Sequence, residues 1–210
     1  MMNRRIIYVI PIAAVVIAAS LFFAASMAGM NNSQVSGAST AGCLPADTDS
    51  LANAKFEVRK PAESSLPAGY RLEAVDDATF VVSLYYSDRE ICKPGEISSE
   101  LANGTLVIQE GYNPDLTDEQ KMADDNAKGV FNATNGEVQP QVIDINGHKG
   151  VVIPAHMGKD RIMLDGKVIH EEPIQMPAAV MLFNADEKIQ YYITAHRSTD
   201  ELVQIAKSIP

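Results

Sequence analysis

The chain has 210 residues with 27 acidic against 17 basic side chains, a net charge of −10 and two cysteines. That length holds one ordinary domain with an extra segment. The acidic excess repels phosphate backbones, so nucleic acid is not expected as a partner.

The extra segment is N-terminal. Ile6 to Met30 runs through 25 positions without a charge, and as a helix rising about 1.5 Å per residue it would cross a hydrocarbon core of about 30 Å. Arg4 and Arg5 precede the run and no basic residue follows it until Lys55, so the positive-inside rule keeps residues 1–5 cytoplasmic and exports everything after the anchor. Small residues at Ala24, Ser26 and Ala28 offer a cleaved-signal alternative, but the run exceeds the roughly 7 to 15 residues of a signal core, so an anchor is expected. The expected localisation is therefore a single-pass cell membrane protein, its helix held by membrane lipid. Beyond the anchor 15 basic residues face 27 acidic ones, a charge near −12.

Residues 31–54, rich in Asn, Ser, Gly, Ala and Thr, read as a flexible stalk. Residues 55–210 form the extracytoplasmic domain. Cys43 and Cys92 both fall on the exported side, where thiols oxidise, and a disulfide between them would close a loop worth on the order of 4 kcal/mol. Lipidation of Cys43 is the rival; Thr40, and the distance from the apolar core, speak against it. Asn31, Asn103 and Asn132 each begin an Asn-x-Ser/Thr triplet, a glycosylation acceptor where the host has the machinery.

Within the domain Phe56 and Val58 alternate with charges, predicting an opening strand that Pro61 ends. Tyr70, Leu72 and Ala74 repeat the alternation, Phe80 to Tyr86 is rich in aromatic and β-branched residues, and Thr105 to Ile108 makes another strand. Thr117 with Gln120 forms a capping-box pattern, and Gly129 is a plausible stop. That helix carries only a thin apolar stripe (Leu116, Met122, Ala123, Ala127), predicting weak packing at the surface. Asn146-Gly147 and Asp165-Gly166 mark type I′ hairpins within residues 143–152 and 161–169. Residues 179–183 and 189–195 read as a last strand pair. Ser198 and Glu201 form a second capping box ahead of an apolar face of Leu202, Ile205, Ala206 and Ile209. The expected fold is α+β: a twisted antiparallel sheet with a C-terminal helix packed on one face, behind the transmembrane helix.

The stretches Leu66-Pro67-Ala68-Gly69-Tyr70-Arg71-Leu72, Leu84-Tyr85-Tyr86, Ile145-Asn146-Gly147-His148-Lys149-Gly150 and Leu202 through Ile209 resemble a family of exported domains of unknown function. These sit behind a membrane helix, often C-terminal in anti-sigma factors, and are similar to lipoprotein-carrier and sigma-regulator folds. The resemblance implies a membrane-anchored sensory or binding module and no catalytic residues. Five residues before the anchor leave no room for an anti-sigma effector domain, so a signalling role would need a membrane or extracellular protein partner.

For chemistry, His156, Met157 and His170 are the metal-ligand candidates, soft enough for Cu(I) or Zn. They lack ligand spacing, so no metal and no cofactor is expected. Asp76-Asp77 and Asp124-Asp125 read as solvated charge, since residues 115–126 lack the glycine and terminal glutamate of a calcium loop. Nucleophile motifs and phosphate loops are absent from the sequence. The reading is a non-enzymatic module that binds an apolar ligand, a lipid moiety or a protein segment. The alternative is a metal-handling protein or a hydrolase whose site is assembled from distant residues.

Overall fold

The computed structural model describes residues 9–10, 51, 54–91, 97–102, 104–164 and 167–209, without the side chains of 9–10, 78, 97–99, 160–164 and 167–170. Both cysteines, Asn31, Asn103 and all but two residues of the apolar Ile6–Met30 stretch lie outside this set. Among the described residues no helix is long and apolar enough to cross a membrane. The two residues that are described, Val9–Ile10 (β1), pair antiparallel with Ile162 and Arg161.

The rest is α+β. Strands β2 (Arg71–Ala78), β3 (Val81–Ser87), β4 (Leu106–Tyr112), β5 (Gln141–Ile145), β6 (His148–Ile153), β7 (His156–Leu164), β8 (Lys167–Met176), β9 (Ala178–Asn184) and β10 (Ile189–Ala195) are joined by helices α1 (Ile97–Ala102), α2 (Glu119–Ala133) and α3 (Thr199–Lys207). Seven strands make one sheet in the order β2-β3-β4-β10-β9-β6-β5, antiparallel throughout. Strand alternation sends Val82, Leu84, Tyr86, Leu106, Ile108, Val180, Leu182, Ile189, Tyr191 and Ile193 to one face, and Val151, Ala179, Met181 and Phe183 to the other.

Helix α3 closes the first face as its sequence predicts. Ser198 accepts the Glu201 N–H while the Glu201 carboxylate takes the Ser198 N–H, completing the capping box. Leu202, Ile205, Ala206 and Ile209 then fill the space against Val180, Leu182 and Ile145.

Four expectations need correction. The α2 cap is Asp118, whose carboxylate accepts the Lys121 N–H at 2.9 Å; this leaves Thr117 and Gln120 out of any capping box. The helix also runs through Gly129 and stops one turn later, where Asn135 and Gly136 take positive φ angles of 52° and 81°. Its packing is not weak: Ala123, Asn126 and Val130 are buried on the face opposite α3, so helices cover both faces of the sheet. The two missed apolar positions, Val130 and Val138, lie beyond the stop that Gly129 suggested.

The fourth correction concerns Phe56 and Val58, which form no strand. Residues 54–66 instead run as a strap over the α3 face, with Phe56, Val58 and Leu66 half-buried against the core. Lys55 N–H bonds to Thr79 O at 3.1 Å. The next tie goes to a side chain, Arg59 N–H to Glu110 Oε2 at 3.0 Å, so no ladder forms.

The Asn146-Gly147 turn sits in the β5–β6 hairpin. Asn146 and Gly147 adopt φ of 54° and 91°, as a type I′ turn requires. In the strand that follows, a Cβ on Gly150 would stand 2.7 Å from Met181 O and 2.9 Å from Ile145 Cδ1, so only glycine lets β6 pass that close. The second hairpin is longer than predicted, with residues 165–166 outside the described set. It continues β6 and β9: Ile153 faces Ala179, and three residues on His156 faces Met176, in unchanged register. Pro154 and Pro177 interrupt the ladder between them, because proline has no N–H to give. Beyond that break β7 and β8, with β1 on the outer edge of β7, form an arm with Met157 57% and Ile174 36% exposed.

Candidate functional site

At the end of the sheet near the α3 C-terminus lies a cleft of about 280 Å³. The β5–β6 hairpin supplies Ile145, Asn146 and His148; β9 and the turn after it supply Leu182, Asn184 and Glu187; β10 gives Tyr191, and the chain end gives Lys207 and Ile209. Ile145, Leu182 and Ile209 make an apolar floor, and the amides and charges make the rim.

Hydrogen bonds fix the walls. Asn146 Nδ2 donates to Lys207 O at 2.7 Å, tying the hairpin turn to the end of α3. Asp144 Oδ1 accepts the Gly147 N–H at 2.8 Å and holds the turn itself. On the far side Glu119, the first residue of α2, accepts from Ala185 N–H at 2.8 Å and Lys149 N–H at 3.0 Å and meets His148 Nδ1 at 2.9 Å. Burial works against the Glu119 carboxylate, but these three bonds together with the His148 charge hold it below its ordinary value. One side chain therefore clamps two walls of the cleft.

Behind the cleft is a buried acid. Glu110 continues the inward alternation of Leu106 and Ile108 on β4 and stands opposite Tyr191 on β10. It is fully buried beneath the strap. Its one hydrogen bond to the backbone comes from Arg59, while Oε1 finds no hydrogen-bond partner among the described residues. Burial pushes its pKa up to about 8; the Arg59 N–H and guanidinium oppose the rise and Glu187 adds to it. The Arg59 guanidinium pairs with Glu187 on the cleft rim. The hydroxyls of Tyr86 and Tyr191 are also buried without a partner among the described residues. Burial first, and the Glu110 carboxyl second, raise both phenols above their ordinary value.

The residues singled out from sequence lie elsewhere. His156 sits at the base of the arm with Nδ1 3.0 Å from Pro154 O, and Met157 beside it points to solvent. His170 faces Ile162 in the ladder, six residues along β7 from His156, which at about 3.3 Å per residue separates them by roughly 20 Å. Among the described residues no group of three metal-ligating side chains comes together. Asp124 and Asp125 are exposed on α2, engaged by Gln120 and Lys121, and Asn132 is exposed on the same helix.

Sequence reading missed Arg59, Glu110, Glu187 and Tyr191. A signal existed for Glu110, an acid at an in-facing position of an alternating strand, where a buried charge is costly. Arg59 and Glu187 left none, because they reach the site from opposite ends of the chain. Comparison with known proteins finds no matching family model, no matching curated protein and no matching solved structure.

Proposed function

We propose that the chain is a membrane-anchored extracytoplasmic binding module whose cleft beside the α3 C-terminus receives a small ligand or a partner's side chain. The cleft itself carries this reading: an apolar floor under a hydrogen-bonding rim, on walls clamped by Glu119 and Asn146. A volume of about 280 Å³ lies at the small end of ligand sites. The space between α3 and the sheet is filled by Leu202, Ile205 and Ile209, so a long acyl chain has its place only outside that interface. The cleft favours an occupant with an apolar body and polar groups that meet the rim of Asn146, Asn184, Glu187 and Lys207.

Groups that would do chemistry are engaged in structure, which supports binding over turnover. His148 holds Glu119, Glu187 holds Arg59, and the Tyr191 phenol is kept protonated. The Ile6–Met30 segment supplies the anchor in this reading, resting on its uncharged length and its flanking arginines; the reading requires Val9–Ile10 to leave β7 and join the membrane helix.

Affinity capture from detergent-solubilised membranes, with mass spectrometry of lipids, metabolites and proteins, tests it against a Lys207→Glu variant. A species recovered with the wild type and lost with the variant, at unchanged melting temperature, is the expected result. Equal recovery by both, or the bare folded chain from each, would remove the cleft from consideration. Alkaline extraction that leaves the full chain in the soluble fraction would remove the anchor.

A further inference from the structure

We propose that the strap over residues 54–66 is a protonation-gated latch, seated while Glu110 is a neutral acid and lifted when Glu110 ionises. This holds whatever occupies the cleft, and it makes the module responsive to pH at the point where the stalk segment joins the domain.

Among the described residues the strap is tied by single hydrogen bonds and by the Arg59–Glu187 ion pair. Lys55 N–H reaches Thr79 O, Arg59 N–H reaches Glu110 Oε2, and Ala62 N–H reaches Ser208 Oγ at 3.3 Å. Ser65 Oγ meets Ser208 Oγ at 2.6 Å, and Phe56, Val58 and Leu66 are only half-buried. None of this is a β-ladder, so the strap can leave without breaking the sheet.

Under it, Glu110 is sealed from water. The charged and titratable groups that face it are Arg59 from the strap, Glu187 from the turn after β9, Tyr86 from β3 and Tyr191 from β10, with Glu57 of the strap near Tyr191. Arg59 alone is positive, and its guanidinium already pairs with Glu187. A carboxylate here gains one backbone N–H and loses its hydration, which favours the neutral acid. With the strap raised, Glu110 meets water and titrates as an ordinary carboxyl.

Linkage then fixes the pH profile. The seated form binds the proton more tightly, so opening grows with pH from the ordinary value of 4.5 to about 8 and then levels off. Over that window the opening ratio rises close to tenfold per pH unit.

Hydrogen exchange of the full chain in detergent micelles, corrected for intrinsic base catalysis, reads this at the Arg59 amide. Between pH 5.5 and 8 its protection should fall close to tenfold per unit and then flatten, while amides of β9 such as Val180 stay constant. Glu110→Gln should give a flat profile at Arg59. Glu187→Gln, which keeps the acid and removes a neighbouring carboxylate that raises its pKa, should move the flattening to lower pH. A flat wild-type profile overturns the latch, as does the same slope in Glu110→Gln or a slope shared by Val180, which means global unfolding. Should Glu110→Gln fail to fold, a carbon-13 carboxyl titration of the wild type decides: a Glu110 midpoint at the pH where the Arg59 profile flattens upholds the latch, and a midpoint elsewhere overturns it.

Discussion

The α3 face of the sheet is closed in two different ways along its width. Over β9, β6 and β5 a capped helix presses Leu202, Ile205 and Ile209 onto Val180, Leu182 and Ile145. Toward β4 an irregular strap lies over Glu110, held by single hydrogen bonds and half-buried side chains. The same sheet thus has one half stabilised by apolar burial, which hardly responds to pH, and another half whose cover rests on the protonation of one carboxyl. Rigidity and responsiveness are segregated by which side chain stands at the in-facing position.

The helix half gives the largest expected effect. Leu202 is fully buried, and Leu202→Ala removes its methyls and leaves a cavity, a loss of about 3 kcal/mol. Urea denaturation followed by circular dichroism measures it. A loss under about 1 kcal/mol would mean that α3 is dispensable to the core and that the two halves do not differ.

The strap half predicts a change in sign of interest rather than size alone. Because folding raises the Glu110 pKa to about 8, the folded state retains a proton that the unfolded chain releases near 4.5. Stability from this group is fully present below the unfolded value and is lost as pH rises toward 8. Each unit is worth about 1.4 kcal/mol, so the total is on the order of a few kcal/mol. Glu110→Gln should match the wild type near pH 5 and exceed it at pH 9, in parallel denaturation curves. Equal pH slopes for the two proteins would show that Glu110 is already hydrated.

A smaller effect separates the ends of the helix from its buried face. Ser198→Ala removes the acceptor for the Glu201 N–H and should cost about 1 kcal/mol, with the Arg59 amide profile unchanged. A changed profile would mean that helix and strap open as one unit.

This division also governs what the sequence disclosed. Local signals were legible: the Asn146-Gly147 turn, the Ser198–Glu201 box, the aromatic and β-branched content of β3, the strand pair β9 and β10, and the α+β class they imply. Boundaries set by competition were not. Nothing local marks Glu119 as more than an acid at a helix start, yet its carboxylate reaches Ala185 and Lys149 across 66 and 30 residues. Phe56 and Val58 alternate like a strand, but the donor at Arg59 goes to a side chain instead of a neighbouring strand. The cleft was illegible for the same reason: its lining comes from four separated segments, none carrying a motif.

The arm is the limiting case of the comparison, a stretch of ladder with neither helix nor strap over it among the described residues. The register of β6 and β9 continues into β7 and β8 without a shift until Ile162, so the two parts share a register and differ in cover and in flanking strands, β5 and β10 against β1 alone. In the sheet Val151, Val180 and Phe183 are buried, whereas on the arm Met157 and Ile174 face solvent. The main neighbours of β7 and β8 are each other and β1. A ribbon of two long strands and one two-residue edge strand, with no apolar face buried on a second layer among its described side chains, adds little stability of its own. Replacing residues 157–175 by Asn-Gly, so that His156 still faces Met176 across a type I′ turn, should therefore change domain stability by less than about 0.5 kcal/mol. The melting temperature and the exchange rates of β6 and β9 amides measure this. A loss of several degrees would show that cover is not what distinguishes the two stretches, and that the arm stabilises the sheet through the ladder alone.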